Sequence, residues 1–481
     1  MEDIAHKAMA EHGFLSFFPH RVLRELESVR DLSQADKIPE DVEDLRDLLW
    51  SSVDNLDTQD FDQLEFCERR ARNEIRVLIA VADVDSYVSK ASHIDRYAYH
   101  NGTSVYTGVI TFPMLPEKLC NDISSLKENA DRLAVVLEYF VRPDGSVRFG
   151  DVFRALVKNK AKLVYESLGD WLEGGGPEPE PLTKIAQLKE QIHLQDEAAG
   201  RLHDLLVREG MIELETIEAS PVIEHDTIVD LTVRKKNRAR QIIENFMITA
   251  NRAMVHFLQK HDLPFIQRVV RTPKRWSRII EVAQALGHRL PVEPDPKSLS
   301  EFLDKQKIKD PVRFPDLSLT VVKLLGYGEY VMTEAHQESF GHFGLAVRDY
   351  THSTAPNRRY IDIIMQRLLK TALAKEKLSY TKKELGEISF WCTDRDQTAK
   401  KVERFMRKVE GAVLLQDRLG ETFEGIITGA SEKGTYVRLL NPSVEGRIVR
   451  NEAGLDVGQT VRVRLIRMII EKGFIDFEKM G

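Results

Sequence analysis

Apolar residues change their spacing three times along this chain, and each change marks a different kind of structure. In MEDIAHKAMAEHG they fall at helical intervals up to Gly13, and in FPHRVLRELESVRDL Val22, Leu23 and Leu26 fall at i, i+1 and i+4. Residues 1–50 are therefore predicted to be helical, either a small helix-turn-helix-like domain or a docked helical arm. From 53 to about 166 the texture is that of strands. IRVLIAVADVDSYV is nearly continuous, as in a buried strand, and RPDGSVRFGDVF predicts a hairpin around Asp144 and Gly145. LEGGGPEPEPL, residues 172–182, has the composition of a surface loop and need not divide two domains. Helical spacing then dominates from 183 to about 415, as in IIENFMITANRAMVHFLQ and YIDIIMQRLLKTALAKE. From Gly420 to Lys479 five short β segments, among them TFEGIITGA, GTYVRLL and TVRVRLIRMI, are punctuated by glycine. That pattern predicts a small barrel of the OB type.

The expected fold class is α+β and multidomain: a helical segment 1–50, a mixed α/β domain 51–417 and an OB-fold β-barrel 418–481. A length of 481 residues is too great for one ordinary core. With 42 % hydrophobic and 30 % charged residues the chain reads as a soluble globular protein, and no run approaches about 18 apolar residues. The N-terminus lacks a basic start followed by an apolar run, and Cys67, Cys120 and Cys392 lie far apart with no CxxC pair. A cytoplasmic location is therefore expected. The net charge of −7 argues against wholesale nucleic-acid binding, although a binding channel is local. Two basic stretches, Arg234 to Arg240 and Lys400 to Lys408, are either such a channel or solvated helix faces.

Chemistry concentrates in VDNLDTQDFDQLEF. Asp60 and Asp62 are two apart and would share a face of an extended chain, with Asp54 one short turn upstream. Carboxylates gathered without His or Cys suit Mg²⁺ or Mn²⁺ better than Zn²⁺, and paired hard metals are a recurrent device for cutting phosphodiesters. His342 and His352 flank GLAVRDYT without a third ligand at zinc-site spacing, so they are expected in the core or along a channel.

Five segments occur in one order: VDNLDTQDFDQ, IAVADVDSYV, GTSVYTGVITFPMLPEKLCNDISSL, ENFMITANRAM and GHFGLAVRDYTHSTAPNRRYIDIIMQRLL. Together they resemble the RNB catalytic domain of the ribonuclease II/ribonuclease R exoribonucleases over roughly residues 44 to 415, and the C-terminal barrel is similar to their S1 RNA-binding domain. The resemblance implies Mg²⁺-dependent (or Mn²⁺-dependent), processive 3′→5′ hydrolysis of single-stranded RNA to 5′-mononucleotides. The family's acidic signature is D-x5-D-x-D-D. Asp54, Asp60 and Asp62 match three of its positions and Gln63 stands at the fourth, where an amide oxygen could still ligate a metal but brings no charge. Asp57 or Glu65 could compensate.

By the same resemblance, Tyr106 would stack on the terminal nucleotides, and Leu214 is the nearest match to a second clamping aromatic. Arg358, in STAPNRRY where the family shows SPIRRY, would stabilise the scissile phosphate, Arg359 would contact another phosphate, and Glu403 would sit near the active site. On the barrel, Phe423, Tyr436 and Arg438 are the candidate RNA contacts. Only about fifty residues precede Asp54, so the two cold-shock barrels usual upstream are expected to be missing or replaced. The protein is expected to act as a monomer, away from membranes. The rival reading is a non-catalytic RNA-binding protein on the same fold, with Gln63 as its support.

Overall fold

The strand texture between 53 and 166 becomes a mixed sheet wound around the chain's most apolar run. The computed structural model describes residues 1–481 except 35–37, 216–217, 225–226, 235, 432–433, 456 and 481. Two helices open the chain, α1 (Glu2–Glu11) and α2 (His20–Ser28), followed by the strands β1 (Val42–Asp44), β2 (Trp50–Asp54), β3 (Gln63–Arg69) and β4 (Ile75–Ala82). After α3 (His93–Asn101) a short hairpin pairs β5 (Val105–Tyr106) with β6 (Thr111–Phe112). The long strands β7 (Asp131–Val141) and β8 (Val147–Val164) meet at the predicted turn. There Gly145 adopts φ +86° and Asp144 Oδ1 accepts the Ser146 N–H at 2.9 Å.

Sheet order is β1-β8-β2-β3-β4-β7, with β8 also paired to β7. The eighteen residues of β8 explain this: its first part runs antiparallel to β7 and its last part parallel to β2, so the sheet closes on itself. IRVLIAVA forms β4, buried almost throughout, which is why its pattern is continuous rather than alternating.

The loop-like segment after α4 (Tyr165–Leu172) holds a turn at Gly174 and a short helix, α5 (Glu180–Lys184). Leu168, Leu182 and Leu188 belong to one core, so 172–182 does not separate two cores. Two long helices, α6 (Leu188–Glu209) and α7 (Arg238–Lys260), then cover the sheet, with Phe246 edge-on to Tyr139 at 6.5 Å between ring centroids. The Asn237 side chain caps α7 by accepting the Arg240 N–H at 3.0 Å.

Helix is not unbroken from 183 to 415. A hairpin of β9 (Glu218–Glu224) and β10 (Thr227–Arg234) precedes α7, and β11 (Phe265–Val269) pairs with β12 (Glu329–Thr333). Between the latter two, α8 (Trp276–Ala285), α9 (Pro296–Lys309) and α10 (Phe314–Leu325) pack on a core of their own around Phe302 and Phe314. The chain then forms α11 (Tyr360–Ala374) and the 33-residue α12 (Lys382–Leu414), which starts at a capping box between Thr381 and Glu384.

Strands β13 (Thr422–Ser431), β14 (Gly434–Leu439), β15 (Glu445–Arg450), β16 (Thr460–Ile469) and β17 (Phe474–Lys479) close the expected barrel in the order β13-β14-β15-β17-β16. Its core includes Ala412 and Leu415 from the end of α12.

The first fifty residues are helical in α1 and α2, but those helices belong to different cores. Ala5, Ala8 and Met9 of α1 pack with Val402 and Met406 of α12, whereas Val22 and Leu26 of α2 join the core of the main sheet. By residue 42 the chain is already strand, parallel to β8. Among the described residues no helix is long and apolar enough to cross a membrane.

Candidate active site

Asp54 ends β2, Gln63 begins β3, and the loop between them carries Asp60 and Asp62. Lys162 on β8 holds this loop by donating to the carbonyls of Leu56 at 2.8 Å and Thr58 at 3.3 Å. Arg240, at the start of α7, reaches Asn55 Oδ1 at 3.1 Å and Glu166 at 2.7 Å. The Asp62 carboxylate is met from the other end of the sequence. Its Oδ1 accepts the Asn357 N–H at 3.0 Å and its Oδ2 accepts Nε of Arg358 at 3.1 Å. Asn357 is itself fixed, since its Oδ1 accepts the Ser124 hydroxyl at 2.7 Å.

The segment around Arg358 is pinned to the one before Tyr106. Ser104 N and Thr103 Oγ1 both donate to the Arg358 carbonyl at 3.0 Å. Tyr106 then stands between two carboxylates: its hydroxyl donates to Asp60 Oδ2 and its N–H to Glu403 Oε1 on α12, each at 3.4 Å. Tyr106 remains 41 % exposed and the Arg358 side chain 45 %, while Asp62 beneath them is buried. An aromatic face and a guanidinium thus border an opening floored by carboxylates.

Burial sets the electrostatics. It pushes Asp54 up to about 6, against the pull of Ser52 and Lys162. It also raises Asp60, and raises Asp62 to about 7 although Arg358 draws that group down. Burial works against the charge on Arg358, and Asp62, Tyr106 and Asp60 more than offset it, so the guanidinium stays charged. Glu403 is raised by burial, and Tyr106 by burial followed by Asp60. The site therefore carries more acid than its own cations neutralise, and Asp54 Oδ2 is buried with no hydrogen-bond partner. Hard, anionic oxygen donors with such an orphan fit a divalent magnesium- or manganese-type ion, which Asp54, Asp60 and Asp62 would hold. As they stand, no three His, Cys, Asp or Glu among the described residues converge on one ion position.

Other sequence-predicted residues lie elsewhere or are differently employed. Gln63 is buried on β3 opposite Val81. Arg359 is not free for phosphate, because its guanidinium is paired with Asp362 at 2.8 Å, which also accepts the Ala355 N–H. Leu214 packs against the core of α8 to α10 and so belongs to another part of the molecule than the Tyr106 opening. On the barrel, Phe423 is 6 % exposed and packs edge-on to Phe477, so it fills the core and offers no open ring face. Arg438 makes a two-pronged ion pair with Asp316 of α10, both bonds 2.9 Å, and so ties the barrel to the helical layer. Tyr436 is half-buried on the strand facing Arg447.

In the first basic stretch Lys236, Arg238 and Arg240 pair with Glu244, Asp196 and Glu166, and in the second Lys400 pairs with Asp396. His352 is half-buried and bonded to the Tyr330 hydroxyl at 2.8 Å, and His342 is pushed down to about 4 by burial. Sequence reasoning passed over Lys162. Lys162 lies in an alternating strand, where a lysine is ordinarily solvent-facing, and only the pairing of β8 with β2 brings it to the acidic loop.

With the site assembled, its class is defined: residues 42–375 match the RNB domain and residues 421–480 the RNase II-type exonuclease C-terminal S1 domain. The chain belongs to the RNB family. Its sequence is 28 % identical to Ribonuclease R 1 of Lactococcus lactis, over 98 % of this chain and 60 % of that protein. The chain thus spans about three fifths of that relative's length. In fold it is similar to the apo form of Mycoplasma genitalium RNase R, with TM-score 0.88, 21 % identity and coverage of 99 % of this chain and 77 % of the other. Yeast Ssd1, a pseudonuclease, shares the fold at TM-score 0.73 and 15 % identity, over 93 % of this chain and 55 % of that one.

Proposed function

We propose that the protein is a processive 3′→5′ exoribonuclease that hydrolyses single-stranded RNA to 5′-mononucleotides. The observation that carries this reading is the meeting of Asp62 with Arg358, 296 residues apart in sequence, beside Tyr106 and Asp60. A divalent ion pair, Mg²⁺ or Mn²⁺, held by Asp54, Asp60 and Asp62 would supply Lewis acidity to the scissile phosphate and its attacking water.

The remaining work falls to the chain's own groups. Arg358 is held at Asp62 through Nε, and its exposed end is placed to bind phosphoryl oxygens as charge builds on them. Tyr106 stacks on a terminal base, which grips any sequence alike. Glu403 holds that tyrosine's backbone. Water adds to the last phosphorus, the bond to the 3′-oxygen breaks, and that oxygen leaves with a proton. The products are a 5′-mononucleotide and a chain one residue shorter with a free 3′-hydroxyl. Recognition through backbone and stacking makes the reaction indifferent to base sequence.

End-labelled single-stranded RNA, incubated with EDTA and then with added Mg²⁺ or Mn²⁺, tests the reading. Release of labelled mononucleotide from the 3′ end only when metal is restored supports it. RNA retained intact but bound would favour the second reading, a non-catalytic RNA-binding protein. That reading draws on the neutral Gln63 and on the pseudonuclease neighbour, whereas a binder has no need of Asp62, Arg358 and Tyr106 in one place.

A further inference from the structure

Two residues beyond Gln63 on β3 stands a carboxylate that nothing in the fold accounts for. Glu65 is fully buried, and neither of its oxygens has a hydrogen-bond partner. Its backbone pairs with Ser51 on β2, three residues before Asp54, and Asp54 is the charged side chain that acts on it. Asp54 Oδ2 is likewise buried and unpartnered. So is Oε1 of Gln195 on α6, whose Nε2 lies 3.2 Å from Ser51 Oγ and 3.5 Å from the Glu65 carbonyl. Both Glu65 oxygens, Gln195 Oε1 and, at the end of β2, Asp54 Oδ2 are thus four buried acceptor oxygens to which no hydrogen bond is donated. An ionised acid in such a place is held only by a cation or by losing its charge. A set of oxygens alone is what a hard divalent cation takes.

We propose that Glu65, rather than Gln63, is the acidic partner of Asp54 in binding a divalent cation. The proposal rests on the metal-dependent nuclease reading and deepens it. Gln63 and Glu65 lie on the same face of β3, so the charge is displaced about 7 Å along the strand. Glutamate's extra methylene relative to aspartate gives back part of that distance. The cation's charge then offsets repulsion between Asp54 and Glu65, and the neutral Gln63 is no defect of the site.

Mn²⁺ binding, followed by the loss of the free-ion electron paramagnetic resonance signal and by metal-induced change in Tm, tests this without any RNA. Glu65→Gln should weaken Mn²⁺ about tenfold or more, and Gln63→Asp added to it should recover much of the loss. Gln63→Asp alone should gain less than it does in the Glu65→Gln background, because Glu65 already serves. Glu65→Asp, which keeps the charge and withdraws it by one methylene, carries the same expectation in smaller measure should Glu65→Gln not fold. If Glu65→Gln binds Mn²⁺ within twofold of the parent while Asp62→Asn weakens it, Glu65 is a protonated core acid and the proposal fails alone. A parent protein that takes up no Mn²⁺ overturns both this proposal and the metal-dependent reading of the site.

Discussion

Asp62 is the residue on which most of the site's contacts converge, since the Asn357 N–H and the Arg358 guanidinium both bind it. Asp62→Asn keeps the volume and removes the charge. It should lower mononucleotide release by about 10²–10³-fold or more while RNA affinity stays near that of the parent. A single-turnover assay paired with filter binding decides this, and a variant retaining half the parent rate removes Asp62 from the chemistry. Tyr106→Ala should lengthen the smallest limit product or slow the last cuts on a sequencing gel, with the circular dichroism spectrum unchanged. An identical product ladder would make Tyr106 a packing residue. At this scale the sequence was legible where motif order placed a residue and illegible where only parity did. Asp54, Asp60, Asp62, Tyr106, Arg358 and Glu403 lie around one opening. Phe423 shares strand parity with buried Ile427, so its ring turned inward, and a single strand's alternation does not say which side of a barrel is inside. Arg359 and Arg438 read as free cations only because their partners, Asp362 and Asp316, were not weighed with them.

Among the elements, the β5–β6 hairpin depends on α12 for its place. Glu403 accepts the Tyr106 N–H, and two turns later Glu410 lies against Gly108, where a Cβ would stand 2.1 Å from Oε1. Gly108 also has φ +78°, so a side chain there is excluded twice over. Glu410 is buried with Oε1 unpartnered, and burial pushes it up to about 8 against the pull of Arg407. The folded protein therefore holds a proton on Glu410 that the unfolded chain releases near 4.5, and stability from this group falls as pH rises from about 4.5 to 8. Glu410→Gln removes that dependence. Its Tm relative to the parent should rise between pH 5 and pH 9, by roughly 2 °C or more. Differential scanning fluorimetry across that range tests it, and a constant difference would place Glu410 in water. Element types were legible where the apolar pattern was long, as in β4, β7, α7 and α11. The β9–β10 hairpin was missed because TIVDLTVR lies between two long helices, and the helical period of its surroundings was carried across it.

The whole molecule joins the sheet domain, the helical layer of α8 to α10 and the barrel. Removing residues after Leu415 takes away the barrel and leaves Asp54, Asp60, Asp62 and Arg358 in place. The apparent KM should then rise about tenfold or more for long single strands and much less for very short ones, with kcat on the short ones nearly unchanged. The loss should be greatest at low salt, because the barrel's Arg and Lys displace counterions from phosphates. A truncated protein that stays folded by circular dichroism yet binds long RNA as tightly as the parent would make the barrel structural. The return of strand texture after Gly420 made the barrel legible, whereas the helical segment expected over 1–50 is divided between two cores and the layer of α8 to α10 was read as one with the other helices. The docking of α1 on α12 and of Arg438 on Asp316 was not legible, since contacts between parts leave no periodic trace in either partner.

One continuous helix links these parts. At about 1.5 Å per residue, the 33 residues of α12 reach some 50 Å. About a third of the way along, the Thr393 hydroxyl accepts the Tyr330 N–H, farther on Glu403 accepts the Tyr106 N–H, and near its end Gly411 abuts Val444 and Ile475 of the barrel. A rod gripped at several heights is a common spine, to which the sheet, the tyrosine hairpin and the barrel are all fastened. A break in that helix would therefore displace the hairpin and the barrel together.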